Sequence, residues 1–104
     1  MSLPISVIIV NYNAGPGLLD CIRSVIDDVR EVLVVDNQSQ DDSLAKLENT
    51  FPQDSRLTII RNTQNLGFAA ACNIGATHAQ PGYWLFLNPD CLCPPVAWRH
   101  FIKP

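Results

Sequence analysis

Ile5-Ser6-Val7-Ile8-Ile9-Val10, closed by Asn11-Tyr12-Asn13, decides how the rest of this chain is read. An uncharged, β-branched run of this kind is the pattern of a strand buried on both faces, as parallel sheets require. The pattern returns at Glu31-Val32-Leu33-Val34-Val35-Asp36, and in shorter form at Leu57-Thr58-Ile59-Ile60-Arg61 and Tyr83-Trp84-Leu85-Phe86-Leu87. Helical spacing fills the intervals. Pro16 opens a helix in which Leu18, Leu19, Ile22, Val25 and Ile26 recur on one face, with Asp20, Arg23 and Asp27 outward. Ser39 with Asp42 resembles a capping arrangement for a second helix that carries Leu44, Leu47 and Phe51 and stops at Pro52. Phe68, Cys72, Gly75, Ala76 and Ala79 give a third helix a face of mostly small residues suited to close approach to a sheet, and Gln80-Pro81-Gly82 ends it. Pro94-Pro95 opens one more short helix.

Strands alternating with helices predict an α/β fold, a Rossmann-like parallel sheet flanked by helices with right-handed crossovers. In such a sheet the carboxyl ends of the strands share one rim, where ligands bind. The residues on that rim are Asn11-Tyr12-Asn13, Asp36-Asn37-Gln38-Ser39, Arg61-Asn62 and Asn88-Pro89-Asp90. All are polar or aromatic, as ordinary turns also would be.

Composition narrows the function classes. The 104 residues form a single small domain, and 47% hydrophobic against 16% charged residues is enough for a packed core. A formal charge of -3 argues against a nucleic-acid groove. There is no apolar run of membrane-spanning length and no secretory leader pattern, so a cytoplasmic protein is expected. Of the four cysteines, Cys91-Leu92-Cys93 is spaced too closely for a structural zinc site, and Cys21 and Cys72 fall on apolar helix faces. Reduced thiols are expected. Arg23, Arg61, His78 and His100 read as surface residues.

The rim residues have chemistry of their own. Tyr12 offers an aromatic face for a nucleobase, and alternatively a packed ring with its hydroxyl paired. Asp36 can accept hydrogen bonds from a base or ribose, and alternatively can fix a turn or cap a helix. Asn88-Pro89-Asp90 taken alone is a turn. Gly15-Pro16-Gly17 after the first strand, with Asp36 downstream, raises a dinucleotide-binding alternative, but the third glycine position holds Asp20.

Taken in order, Val7-Ile8-Ile9-Val10-Asn11-Tyr12-Asn13, Val34-Val35-Asp36-Asn37-Gln38-Ser39 with Asp41-Asp42-Ser43, Asn65-Leu66-Gly67-Phe68-Ala69-Ala70-Ala71-Cys72-Asn73-Ile74-Gly75 and Leu85-Phe86-Leu87-Asn88-Pro89-Asp90 resemble the family 2 glycosyltransferases, in particular their rhamnosyltransferase-like branch. The resemblance implies a GT-A fold with strand order 3-2-1-4. It implies an inverting transferase that moves a sugar, rhamnose in that branch, from a dTDP- or UDP-linked donor to a hydroxyl. Asn11, Tyr12, Asn13, Asp36, Asn65, Gly67, Asn73 and Asn88 become the expected nucleotide-sugar-binding residues. Asp90 becomes the expected ligand of a divalent metal, Mg²⁺ or Mn²⁺, with Asn88 standing where the family's motif has a first carboxylate. Gly75 is expected to serve packing.

The family's catalytic base falls beyond Pro104, so the chain reads as residues 1–104 of the N-terminal donor-binding part of a truncated enzyme, inactive alone. An open sheet edge left in such a fragment predicts self-association. A full-length form would work in polysaccharide biosynthesis, in the cytoplasm or at the inner face of the membrane. The missing base and Asn88 equally suit a non-catalytic nucleotide-sugar-binding or interaction domain.

Overall fold

A computed structural model describes residues 3–90 of the chain. Its elements follow the predicted alternation: β1 (Leu3–Asn11), α1 (Gly17–Arg23), β2 (Val29–Asp36), α2 (Ser43–Thr50), β3 (Leu57–Arg61), α3 (Phe68–His78) and β4 (Tyr83–Leu87). The four strands form one parallel sheet in the order β3-β2-β1-β4.

The two central strands explain why uncharged β-branched runs are needed here. Along β1 every residue from Ile5 to Ile9 is buried, and successive side chains enter different layers. Ile5, Val7 and Ile9, with Val32 and Val34 beside them, join Leu18, Cys21, Ile22 and Leu47 in the main core under α1 and α2. Ile8 and Val35 face α3 instead, and Gly75 is what brings that helix down. A Cβ on Gly75 would stand 2.5 Å from Ile8 Cγ2 and 3.2 Å from Val35 Cγ2. The helix therefore seats on Gly75, a member of the predicted stripe, together with Ala71, which lies outside it; Phe68, at the head of that stripe, is 59% exposed.

Two local expectations need correction. α1 ends at Arg23, although Val25 and Ile26 stay buried in the turns that follow. Ser39 does not cap α2: that helix starts at Ser43 after Asp42, whose side chain makes no capping bond. The Ser39 hydroxyl is taken by Asn11 and Asn13 on the neighbouring loop. β1 and β2 are also longer than their hydrophobic runs, because edge-on pairing such as Leu3 with Val29 extends the ladder beyond them.

Cys21 is buried in the core and Cys72 is a half-buried thiol whose pKa is raised by burial. His78 is exposed, with Nδ1 2.9 Å from the Ile74 carbonyl oxygen, and Arg61 is an exposed partner of Glu48. The Pro94-Pro95 helix, Cys91, Cys93 and His100 lie outside the described residues. Among the described residues, no helix is long and apolar enough to cross a membrane.

Candidate nucleotide-sugar site

The site is built where β1 and β2 end side by side. Asn11 pairs with Asp36 in the parallel register, so the two polar side chains that close these strands meet at the edge of the core. Both are buried, Asp36 to 3% exposure. The Asn11 amide Nδ2 donates to Asp36 Oδ1 at 2.9 Å, and also lies 3.0 Å from Ser43 Oγ and 3.2 Å from Ser39 Oγ. The other Asp36 oxygen accepts the Ser39 backbone N–H at 3.0 Å. Burial of a carboxylate is tolerable only when its oxygens are satisfied, and here the chain satisfies each of them.

The loop after β1 is tied to the loop after β2 by further short side chains. Asn13, in a left-handed conformation at φ 52, donates its N–H to Ser39 Oγ at 2.9 Å and accepts the Gln40 N–H on Oδ1 at 2.7 Å. Asp41 Oδ2 accepts the Gly15 N–H at 2.9 Å, while Oδ1 accepts the Ser43 hydroxyl at 2.6 Å. That hydroxyl, helped by the Gly15 and Ser43 amides against partial burial, holds the Asp41 carboxyl below the ordinary carboxylate range. The amide of Gly15 is thus occupied within the chain and is not free for the phosphate contact that a dinucleotide-binding turn makes. Between the two anchored asparagines stands Tyr12, 55% exposed.

A second set of bonds links β2 to the segment before α3. Asn37, buried at the strand end, accepts the Asn62 amide on Oδ1 at 2.9 Å and donates Nδ2 to the Gly67 carbonyl at 3.1 Å. Asn65 Oδ1 accepts the Gly67 N–H at 2.9 Å, closing a tight turn in which Gly67 takes φ 87. Asn65 and Gly67 are therefore on the rim, whereas Asn73 is exposed in the middle of α3, more than one turn below it.

Beyond β4, Asn88 and Asp90 are exposed. Gly17 at the start of α1 lies against them: a Cβ there would be 3.3 Å from the Pro89 carbonyl oxygen and 3.6 Å from Asp90 Cα. Cys21 Sγ is 3.5 Å from the Asn88 carbonyl oxygen. Among the described residues there is no cluster of three or more His, Cys, Asp or Glu side chains able to hold a metal by themselves. One exposed carboxylate beside an exposed amide still fits Mg²⁺ or Mn²⁺, because such ions are commonly held by one or two carboxylates together with substrate phosphates.

Sequence reasoning placed Asn11, Tyr12, Asn13, Asp36, Asn37 and Ser39 on one rim, but it gave no role to Asn37, and Asp41 and Ser43 entered only as part of the family motif. The available signal was the density of short polar side chains between Asp36 and Ser43.

Glycosyl transferase family 2 matches residues 6–104, nearly the whole sequence. The chain belongs to that family. An uncharacterized glycosyltransferase of Haemophilus influenzae is 35% identical over 95 residues, which are 86% of this chain and 38% of the relative. The fold is that of S. aureus TarS 1-349 in complex with UDP-GlcNAc, with a TM-score of 0.82 at 23% identity over 95% of this chain and 30% of that one. It is also that of the mannosyltransferase PcManGT from Pyrobaculum calidifontis in complex with GDP-Man and Mn²⁺, with a TM-score of 0.76 at 25% identity over 90% and 29% of the two chains. The family 2 chain described here thus spans less than two-fifths of that relative's length and about a third of those solved structures.

Proposed function

We propose that this chain supplies the donor-binding part of an inverting glycosyltransferase that takes its sugar from a UDP- or dTDP-linked donor. The observation that carries the proposal is Tyr12, an exposed aromatic ring held on the rim between two anchored asparagines. A base stacked on that ring is worth about 1–3 kcal/mol. The diphosphate would then run towards Asn88 and Asp90, with the Asn88 amide within the range of chemistry for a ribose hydroxyl. Asn65 and Gly67 shape the same rim, and Asn13 holds its loop.

Asp90 and Asn88 are the residues that would hold a divalent metal together with the donor's phosphates. When bound, such an ion neutralises charge on the departing nucleoside diphosphate. The chain's own residues bind and orient the donor, which turns attack by the acceptor into a positioned, in-line event. The base that takes the acceptor proton is proposed to lie beyond Pro104. Rhamnose as the sugar, a cytoplasmic or inner-membrane-face location and a role in polysaccharide assembly belong to the same proposal, and the choice of rhamnose rests on the motif resemblance alone. That residues 1–104 are inactive by themselves belongs to the proposal too, as does their self-association, which rests on an open sheet edge.

Calorimetric titration with UDP and with dTDP, in Mn²⁺ and then in EDTA, tests the reading. Binding is expected in Mn²⁺, weakened about tenfold or more by Tyr12→Ala and lowered by EDTA or by Asp90→Ala. Absence of UDP and dTDP binding by the folded chain would overturn it.

A further inference from the structure

The carboxylate of Asp36 stands where a ligand-reading group is expected, yet it is buried and each of its oxygens already holds a partner within the chain. Oδ1 accepts the Asn11 amide at 2.9 Å, Oδ2 accepts the Ser39 N–H at 3.0 Å, and the residue is 3% exposed. The groups it holds are the ones that flank Tyr12. Asn11 precedes the tyrosine, and Ser39 accepts the backbone N–H of Asn13, which follows it, at 2.9 Å. We infer that Asp36 is a positioning residue: its carboxylate fixes Asn11 and Ser39 so that Tyr12 is presented to the nucleobase, and does not itself touch the base. The inference rests on the donor-site reading above and gives its buried acid a different task.

The alternatives have different signatures. A carboxylate that accepts the N3–H of uracil distinguishes UDP from CDP, whose N3 is an acceptor. A carboxylate that presents the stacking ring serves every base alike, since each has a π-face. A carboxylate that only stabilises the fold affects neither while the protein stays folded. Asp36→Asn keeps the shape and places an N–H₂ against a donor that now lacks its acceptor. At a temperature where the variant is folded, UDP and CDP affinities are both expected to fall about tenfold, with their ratio unchanged within about a factor of two. Ser39→Ala is expected to act in the same direction, and Ser39→Thr, which retains the hydroxyl, to restore binding.

Hydrogen exchange gives a readout that does not depend on any nucleotide. In Asp36→Asn the amides of Asn13 and Ser39 are expected to exchange faster, while those of Val7 and Ile9 inside β1 do not. A loss confined to UDP, unaltered affinities for both nucleotides, or unaltered exchange at Asn13 and Ser39 would each overturn the inference. Failure of the unsubstituted chain to bind either nucleotide would instead sink the donor-site reading, and the exchange experiment would still decide whether Asp36 holds the loops.

Discussion

Gly75 shows how much one missing methyl group decides. Ile8 and Val35, against which α3 rests, are 1% and 0% exposed and have little room to give way. Gly75→Ala gains about 1 kcal/mol of helix propensity, but its Cβ would sit 2.5 Å from Ile8 Cγ2. Overpacking of this kind costs about 1–3 kcal/mol, so the helix must lift from the sheet. A net destabilisation of about 1 kcal/mol is expected in urea unfolding, and equal or greater stability of the variant would contradict the close seat. The packing role of Gly75 was legible in the sequence because the small residues recur at helical spacing. The task of Asn11 was not legible, because its amide's partners lie 25, 28 and 32 residues downstream and only the parallel register brings them together.

At the scale of elements, Arg56 joins the start of β3 to the turns after α1. Its guanidinium takes both oxygens of Asp54, at 2.7 and 3.0 Å, and reaches Asp27 Oδ1 at 2.9 Å. Asp27 is 82% exposed at its side chain and adds little, but Asp54 is only 17% exposed. The Arg56 guanidinium, followed by the Arg56 backbone N–H, lowers the Asp54 pKa from 3.8 to about 2. A carboxyl depressed on folding stabilises the native state above its unfolded pKa, and loses that contribution as pH falls through the folded value. Asp54→Asn is therefore expected to cost about 1 kcal/mol at pH 7 after allowance for solvent screening. The difference from the unsubstituted chain should shrink as pH falls below 3.8 and disappear only once pH has passed below about 2. Denaturation curves that stay equally separated at both ends would refute the ion pair's contribution. Element order and strand identity followed from hydrophobic runs alone, whereas the end of α1 and the start of α2 did not. The start of α2 depends on the hydrogen bonds that the end of β1 and the loop after it offer to Ser39 and Ser43, and α1 closes at Ser24, whose hydroxyl donates back to the Cys21 carbonyl.

For the whole molecule, the two margins of the sheet are unequal. β3 ends in Arg61, paired with Glu48, so one edge carries charge. β4, with the sequence Tyr83-Trp84-Leu85-Phe86-Leu87, carries none. Its register beside β1 puts Trp84 next to Ser6 and Phe86 next to Ile8, on the face where α3 packs against β1 and β2. Trp84 and Phe86 remain 51% and 45% exposed there, and Tyr83 on the opposite face is 63% exposed. Among the described residues β4 is an uncharged edge strand, the kind of edge that is a template for pairing with another strand, and a second copy of β4 is self-complementary to it. Half of three aromatic side chains amounts to roughly 300 Å² per copy, so a pair would bury less than the ~1,000 Å² of a stable interface. The expected association is therefore weak and concentration-dependent. Light scattering across a wide concentration range should show mass rising towards a dimer, and Trp84→Lys, which puts a charge on the edge, should hold the chain monomeric. A monomer at every concentration would show that this edge does not pair, and a dimer that survives Trp84→Lys would move the contact elsewhere.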